Sequence, residues 1–398
     1  MDTVDSARAR MLSAVRPLGG EPVPLSRAAS RTLTEALFAT RDQPPFRSSA
    51  MDGYAVNSAD AAPGPFRVVG ESAAGRGFEE SMQAGEAVRI FTGAPVPAGA
   101  DSVIPQERIR REGSHVFIDE PAPSGKNIRE PGIDFTSGGP LVAAGTPLHA
   151  RHVALIAAAG FASVNVRRLP RIALLATGSE IATPGTAAGP YQIYDSVTFG
   201  LGAMIESWGG CPLRLAASRD DEVAVSTAIG DAIGNADLTV IVGGASVGDY
   251  DIVKQALGSR GLAISVSQVA VRPGKPTWFG TIDDKPILGL PGNPAAAFVC
   301  ASLFLRPLLH RFLARSSPMI CVPAVLDGQI ARNGEMETYL RAAVRIGDGA
   351  RLLARPFDNQ DTSLVSVFAA ANALIRRLPG SGPAQGGALV EALLLDRD

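Results

Sequence analysis

The stretch RPGKPTWFGTIDDKPILGLPGNPAAAF, residues 272–298, sets two Pro-Gly-bracketed loops around two short apolar runs. Proline fixes φ and glycine permits backbone shapes closed to other residues, so each loop reads as a stiff turn where main-chain N–H groups can lie bare. The first loop carries Lys275 and Gly274 and follows Arg272. The second, Pro291-Gly292-Asn293-Pro294, places an N-cap residue and a first-turn proline before the apolar run Ala295 to Leu309, which predicts a buried helix. A helix start beside two cations suits an anion.

Working outward, the chain from Arg171 alternates strand and helix. RIALLAT reads as a buried strand, and Asp195 or Ser196 caps a helix running to Trp208-Gly209-Gly210. DLTVIVGG is a second strand, DYDIVKQAL a second helix and LAISVSQVAV a third strand, followed by the hairpin TWFG…KPILGL. This alternation predicts a three-layer α/β domain with a mainly parallel sheet. The loops TGSE, GGASVGDYD, RPGKP and LPGNP all follow strands. Ligands of open α/β sheets bind beyond the carboxyl ends of the strands, so these four loops are expected around one pocket.

Upstream, MDTVDSARARMLSAV reads as an amphipathic helix through Val4, Ala7, Met11 and Val15, unlike a signal peptide. EPVPLSRAASRTLTEALFAT reads as another short helix, ended by Pro44 and Pro45. From Phe46 to about Pro140, FRVVGE, EAVRIFTG, DSVIPQERIR and HVFIDEP are strand-like runs between Gly/Pro turns, and RHVALIAAAG then restores helix, with Gly160 as its stop. After Ser317 the runs TYLRAAVRI, RLLARPF, NALIRRLPG and GGALVEALLL are strands again, with one or two helical turns in SLVSVFAAA. The fold class is thus a multidomain α/β and β protein. The expected divisions are a helical N-terminal and linker part at 1–45 and 140–168, a β insertion at 46–139, the α/β domain at 169–316 and a C-terminal β domain at 317–398.

The bulk numbers agree with such a chain. Its 398 residues exceed one ordinary core, and 46% hydrophobic with 19% charged residues describes a well-packed protein. A formal charge of −2 gives no reason to expect nucleic acid or an acidic membrane as partner. Cys211, Cys300 and Cys321 have no C-x-x-C spacing, so neither a disulfide framework nor a zinc site is indicated, and the cytoplasm is the natural compartment. No run reaches the roughly 18 apolar residues of a membrane span.

Each motif has a plain reading beside its functional one. TGSE, residues 177–180, is a strand-to-helix turn, or Glu180 is a carboxylate placed to hold Mg²⁺. In GGASVGDYD, Gly243, Gly244 and Gly248 free amides to approach a ligand while Asp249 and Asp251 supply charge. It is not a P-loop, and no dinucleotide fingerprint occurs. Asp237 is a turn residue at the head of its strand or a functional carboxylate. Lys275, rigid on both sides, favours a ligand role. Asp52 in SSAMDGYAV, Thr92 in FTGAPVP and Asp134 in EPGIDF are turn residues when taken singly. His149 and His152 share a helix face without a third ligand and read as solvated or capping. No Ser-His-Asp or Cys-His arrangement can be proposed, so the chemistry expected is metal- and charge-assisted.

Together SSAMDGYAV, FTGAPVP, TGSE, YDS, GGASVGDYD, RPGKP and LPGNP resemble the molybdopterin molybdotransferase family, which includes the E domain of gephyrin, in order and spacing over nearly the whole chain. The resemblance implies a homodimer whose α/β domain, similar to molybdopterin adenylyltransferases, binds molybdopterin. It implies a reaction in which adenylylated molybdopterin loses AMP, with Mg²⁺ and molybdate present, and molybdenum passes to the dithiolene sulfurs. Lys275, Arg272 and the exposed amides around Gly274 would cradle molybdate. The substrate would lie along Asp195, Gly243, Gly244, Ser246, Gly248, Pro291, Gly292 and Asn293. Glu180, Asp237 and Asp251 would hold Mg²⁺ or orient water. Asp52, Thr92 and Asp134 would approach the crevice of the partner subunit, and Arg341, Thr362 and Ser366 match site positions in the C-terminal domain.

Arg272 stands where lysine is frequent in the family, Val197 replaces an asparagine after YDS, Ala296 a serine after PGNP, and Thr362 another serine. Val197 and Ala296 remove hydrogen-bonding groups and are not assigned to the site. Two other readings stay open: the adenylyltransferase itself, and a gephyrin-like scaffold without chemistry.

Overall fold

The computed structural model describes residues 1–60, 65–118, 123–217, 222–243, 252–315 and 321–395. The chain forms two compact units, one of Met1–Pro22, Ser30–Thr34 and Asn165–Asp398, the other of Val23–Ala29 and Glu35–Val164.

In the first unit a six-stranded sheet runs in the order Cys211–Arg214, Arg171–Ala176, Leu238–Val242, Lys285–Leu290, Trp278–Ile282, Ala263–Val266. Its first four strands are mutually parallel, and Trp278–Ile282 is antiparallel to both neighbours. Strands buried on both faces read as continuous apolar runs, and these do. Ile172, Leu174, Val240 and Leu288 face a core with Leu201, Ile205, Phe304 and Leu308, whereas Leu175, Ile241 and Ile287 face Ile229, Val253 and Leu257. The sheet is the middle of three layers. Helix Glu222–Asn235 covers the second face and has no counterpart in the sequence reading.

Val4, Ala7 and Met11 of helix Val4–Ser13 lie in that first core, so Met1–Pro22 belongs with the α/β unit. The expected helix in EPVPLSRAASRTLTEALFAT is absent. Strand Gly20–Pro24, a 3₁₀ turn Leu25–Arg27 and strand Leu37–Phe38 stand there instead. Pro22 and Pro24 lack amide donors, and Leu25 N and Thr34 N donate to Ala162 O (2.9 Å) and Asn165 O (3.0 Å), so this segment is satisfied by pairing outside itself.

The helix after Asn293 runs from Pro294 to Phe312, with π geometry at Ala301–Leu305. Pro307, two residues beyond the π segment, has no N–H to give and would crowd the carbonyl four residues back, which a locally widened helix relieves. By length and composition this helix could cross a membrane, but 89% of the relevant window is buried inside the protein, as befits a core helix.

The C-terminal strands close on themselves. Glu337–Ile346, Leu352–Pro356, Cys321–Leu326, Leu389–Leu394 and Ala373–Arg377 pair in that order, and the last pairs back to the first. A barrel of five strands leaves little interior room, and Ala324, Ala342, Ala354, Ala373 and Ala392 fill much of it. The LAISVSQVAV run divides: Ala263–Val266 edges the α/β sheet, while Val271–Arg272 leaves it and pairs in parallel with Glu337 and Thr338 of the barrel.

The second unit is built on a six-stranded sheet ordered Ser102–Pro105, Gly53–Val56, Glu86–Ile90, Pro65–Ser72, His115–Ile118, Ile109–Glu112. Both of its faces are buried, Tyr54, Val56 and Ile104 on one and Ala55, Val88 and Val103 on the other. Helix Ala150–Ala158 ends at Gly160 (φ 87°), and the His149–His152 pair caps its start.

Candidate functional site

The three central parallel strands end together, and the loops leaving them touch. Thr177 N donates to Val242 O (2.9 Å) and Gly243 N to Leu290 O (3.2 Å). Gly243 has φ 98°, and a Cβ there would lie 2.6 Å from Thr177 O, so only glycine fits. A Cβ on Gly292 would stand 3.5 Å from Gly243 Cα. Gly178 follows Thr177, and Glu180, exposed, folds its carboxylate back over Gly178. The loops TGSE and LPGNP and Gly243 therefore converge at the carboxyl edge of the sheet. Gly244, Ser246, Gly248, Asp249 and Asp251 lie outside the described residues.

Pro291 is buried, while Gly292 and Asn293 are exposed at the start of the long helix. The amides there are not all bare. Ala295 N donates to Thr362 O (3.0 Å), and Asn293, instead of capping the helix, donates through Nδ2 to Thr362 Oγ1 (2.8 Å). Arg341 is buried. Its Nε donates to Gln360 Oε1 (3.2 Å) and its Nη1 to Asp361 O (2.8 Å), and burial holds its pKa below the ordinary arginine value despite Asp361 nearby. Arg341 thus supports the loop that carries Thr362. Ser366 is exposed in the short helix Val365–Ala370.

The RPGKP loop rests on the same long helix. Its Arg272–Pro273 peptide is cis, and Gly274 has φ 122° with a would-be Cβ 2.1 Å from Cys300 Sγ. Thr277 Oγ1 donates to Gly274 O (2.7 Å), which fixes the turn. Burial pushes the Cys300 thiol up to about 12, so it packs and does not react. Arg272 and Lys275 are exposed, and no described residue hydrogen-bonds to or pairs with either side chain. Asn293 and Cys300 are seven residues apart, about 10 Å along a helix axis. The two Pro-Gly devices are therefore neighbours on one helix.

Asp237 does not join them. It precedes strand Leu238–Val242, at the amino edge of the sheet, where its N donates to Arg171 O (2.8 Å). Arg168 holds its carboxylate with two hydrogen bonds (2.8 and 2.9 Å) and Arg171 N adds a third (2.8 Å). Burial alone would raise its pKa, but these donors bring it below the usual carboxylate range. The opposite edge and a full set of donors remove it from a shared metal site with Glu180. Among the described residues no three His, Cys, Asp or Glu side chains gather to hold a metal ion. Asp195 is likewise engaged: it accepts from Thr198 N (2.9 Å) and Thr198 Oγ1, which starts helix Val197–Ser207.

In the second unit Asp52 and Thr92 are one constellation. Asp52 Oδ1 accepts from Thr92 Oγ1 (2.7 Å) and Thr92 N (2.8 Å), and these bonds hold its carboxyl below the usual range. Arg89 ties their loops, donating to Gly53 O (3.0 Å) and lying over the rings of Tyr54 and Phe91 (5.1 and 4.8 Å). Asp134 is placed elsewhere. Ser49 pairs with Ile128 and Gln43 with Phe135, so Asp134, bonded through its N to Gln43 O (3.0 Å), stands at the far end of that ribbon from Asp52. Gln360, Arg168 and Arg89 carry much of this geometry and were not singled out from sequence, because each acts by bonding residues remote in sequence.

Three family models cover the chain: "MoeA N-terminal region (domain I and II)" at residues 2–160, "Probable molybdopterin binding domain" at 173–311, and "MoeA C-terminal region (domain IV)" at 323–395. The molybdopterin molybdenumtransferase of Bacillus subtilis (strain 168) is 32% identical over 98% of this chain and 94% of its own length. That of Haemophilus influenzae is 35% identical over 94% of each, and that of a Nostoc species 37% identical over 83% of this chain and 78% of its own. A crystal structure of a molybdopterin biosynthesis MoeA protein from Pyrococcus horikoshii superposes with a TM-score of 0.85 at 30% identity, covering 100% of this chain and 99% of that one. With identity at this level sustained across both units, the chain belongs to the MoeA family of molybdopterin molybdenumtransferases.

Proposed function

We propose that the protein inserts molybdenum from molybdate into adenylylated molybdopterin with release of AMP. The observation that carries this reading is the convergence of Thr177, Gly243 and Gly292 beside a helix start, with Arg272 and Lys275, in the loop that rests on that helix, without partners among the described residues. Molybdate is a doubly charged tetrahedral oxyanion. A lysine ammonium between Gly274 and Pro276 and a neighbouring guanidinium offer it fixed positive charge and several donors. The substrate's phosphates suit the edge formed by Gly243 and Asn293. The spacing of about 10 Å between the two devices suits an extended substrate whose ends are recognised separately. The exposed Glu180 carboxylate beside Gly178 supports a role in orienting water at the phosphate end.

The family resemblance also implies Mg²⁺. Of the three carboxylates expected to hold it, Asp237 is engaged at the opposite edge and Asp251 lies outside the described residues. The described residues do not form that site, and no step is assigned to the ion. As part of the same proposal the protein acts as a homodimer, with the Asp52–Thr92 constellation serving the partner's crevice. The strong hold on an exposed Asp52 supports this, since an ordinary turn needs no such anchoring.

Incubation with adenylylated molybdopterin, Mg²⁺ and molybdate should release AMP and yield molybdenum cofactor; no release would refute the reading. Lys275→Ala should leave folding intact and lower transfer roughly 10- to 100-fold, the worth of a charge-assisted contact. Unchanged transfer would take Lys275 out of the site.

A further inference from the structure

Gln360 stands two residues before Thr362, and every hydrogen-bonding position of its carboxamide is filled. Its Oε1 accepts from Arg341 N (3.0 Å) and Arg341 Nε (3.2 Å), and its Nε2 donates to Arg341 O (3.0 Å) and Phe357 O (2.8 Å). The side chain thus docks on the Arg341 backbone as a neighbouring strand would. Strand Leu352–Pro356 ends its ladder at Ala342, and beyond it Phe357 N adds one backbone bond to Arg341 O (3.0 Å). Arg341 Nη1 then binds Asp361 O, and the next residue, Thr362, binds Asn293 and Ala295 at the helix start.

The same barrel strand holds the other loop. Glu337 N donates to Ala270 O (3.1 Å), and Val271 and Arg272 pair with Glu337 and Thr338. Glu337 itself is buried and fixed by Tyr339 Oη (2.7 Å) and Arg376 Nε (2.6 Å). From Thr338 to Arg341 is about 10 Å of strand. This matches the span from Asn293 to Cys300 on the helix. One strand therefore sets the places of both loops, by a backbone ladder at one end and chiefly through the side chains of Gln360 and Arg341 at the other.

We infer that Gln360 is a positioning residue, which transmits the register of strand Glu337–Ile346 to the substrate loop at Asn293 through Arg341 and Thr362. The inference rests on the reading that substrate is held at Pro291–Asn293. Gln360→Met keeps the length and removes all four bonds. In the full chain, hydrogen exchange at the Ala295 amide should rise tenfold or more, with residues 271–277 changed less than twofold. The KM for adenylylated molybdopterin should rise about tenfold with kcat within twofold. Gln360→Glu, which keeps the acceptor facing Arg341 N and Nε, should show both effects at smaller amplitude, and it carries the test alone if the methionine variant does not fold. Unchanged exchange at Ala295 overturns the inference, as does raised exchange with a wild-type KM. If the wild type releases no AMP, the functional reading falls, and the Ala295 exchange still decides whether Gln360 positions the loop.

Discussion

Gly274 admits no side chain. Its φ of 122° is a glycine conformation, and a Cβ would meet Cys300 Sγ at 2.1 Å. Gly274→Ala should cost roughly 1–3 kcal/mol through strain and overpacking. It should also lower molybdenum transfer, because the displaced turn carries Lys275. Combining it with Cys300→Ala makes room and should recover part of the urea midpoint; a midpoint unmoved by Gly274→Ala would contradict the packing. Residues of this kind were legible from sequence as stiff turns, since Pro and Gly act locally. Asp237 was not, because a carboxylate at a strand's head looks the same whether it serves a ligand or an arginine 69 positions away. Thr362 and Asn293 were each named, but not their mutual bond, which empties the simple picture of a bare helix start.

Among elements, the buried helix Pro294–Phe312 was read from its proline start and apolar run, and its π segment was not. Strand Val271–Arg272 lay within an apolar run that gave no sign of its transfer to the barrel, since pairing partners are not encoded in a run's composition. Helix Glu222–Asn235 escaped because its Ala, Gly and Thr content gives weak periodicity. Near the end of the long helix, His310 is buried with neither ring nitrogen hydrogen-bonded among the described residues. Burial, with Arg306 and Arg315 nearby, pulls its pKa from 6.5 down to about 4. The unfolded chain then takes up a proton that the folded chain refuses, so this contribution is complete above about pH 6.5 and is lost as pH falls toward 4. At pH 4.5 the penalty should be roughly 2–3 kcal/mol. His310→Leu should remove that part of the acid sensitivity in urea titrations at pH 7 and 4.5; an undiminished loss would place the sensitivity elsewhere.

For the whole molecule, the α/β and β architecture was legible because alternating strands and helices leave a periodic trace, and the C-terminal strands alternate clearly. Closure of those strands into a barrel that grips two loops of the α/β unit was not, since it depends on contacts between segments up to about seventy residues apart. The central proposition is that the fold gathers fixed charge and strand-end loops along one helix to take an oxyanion at one end and a nucleotide at the other. Anomalous diffraction at the molybdenum edge from crystals soaked in molybdate and AMP tests it most directly. The account predicts a molybdenum peak within contact of Lys275 and Arg272, with the AMP phosphate beside Gly243 and Asn293; a peak away from both cations, with the RPGKP loop ordered and empty, would contradict it.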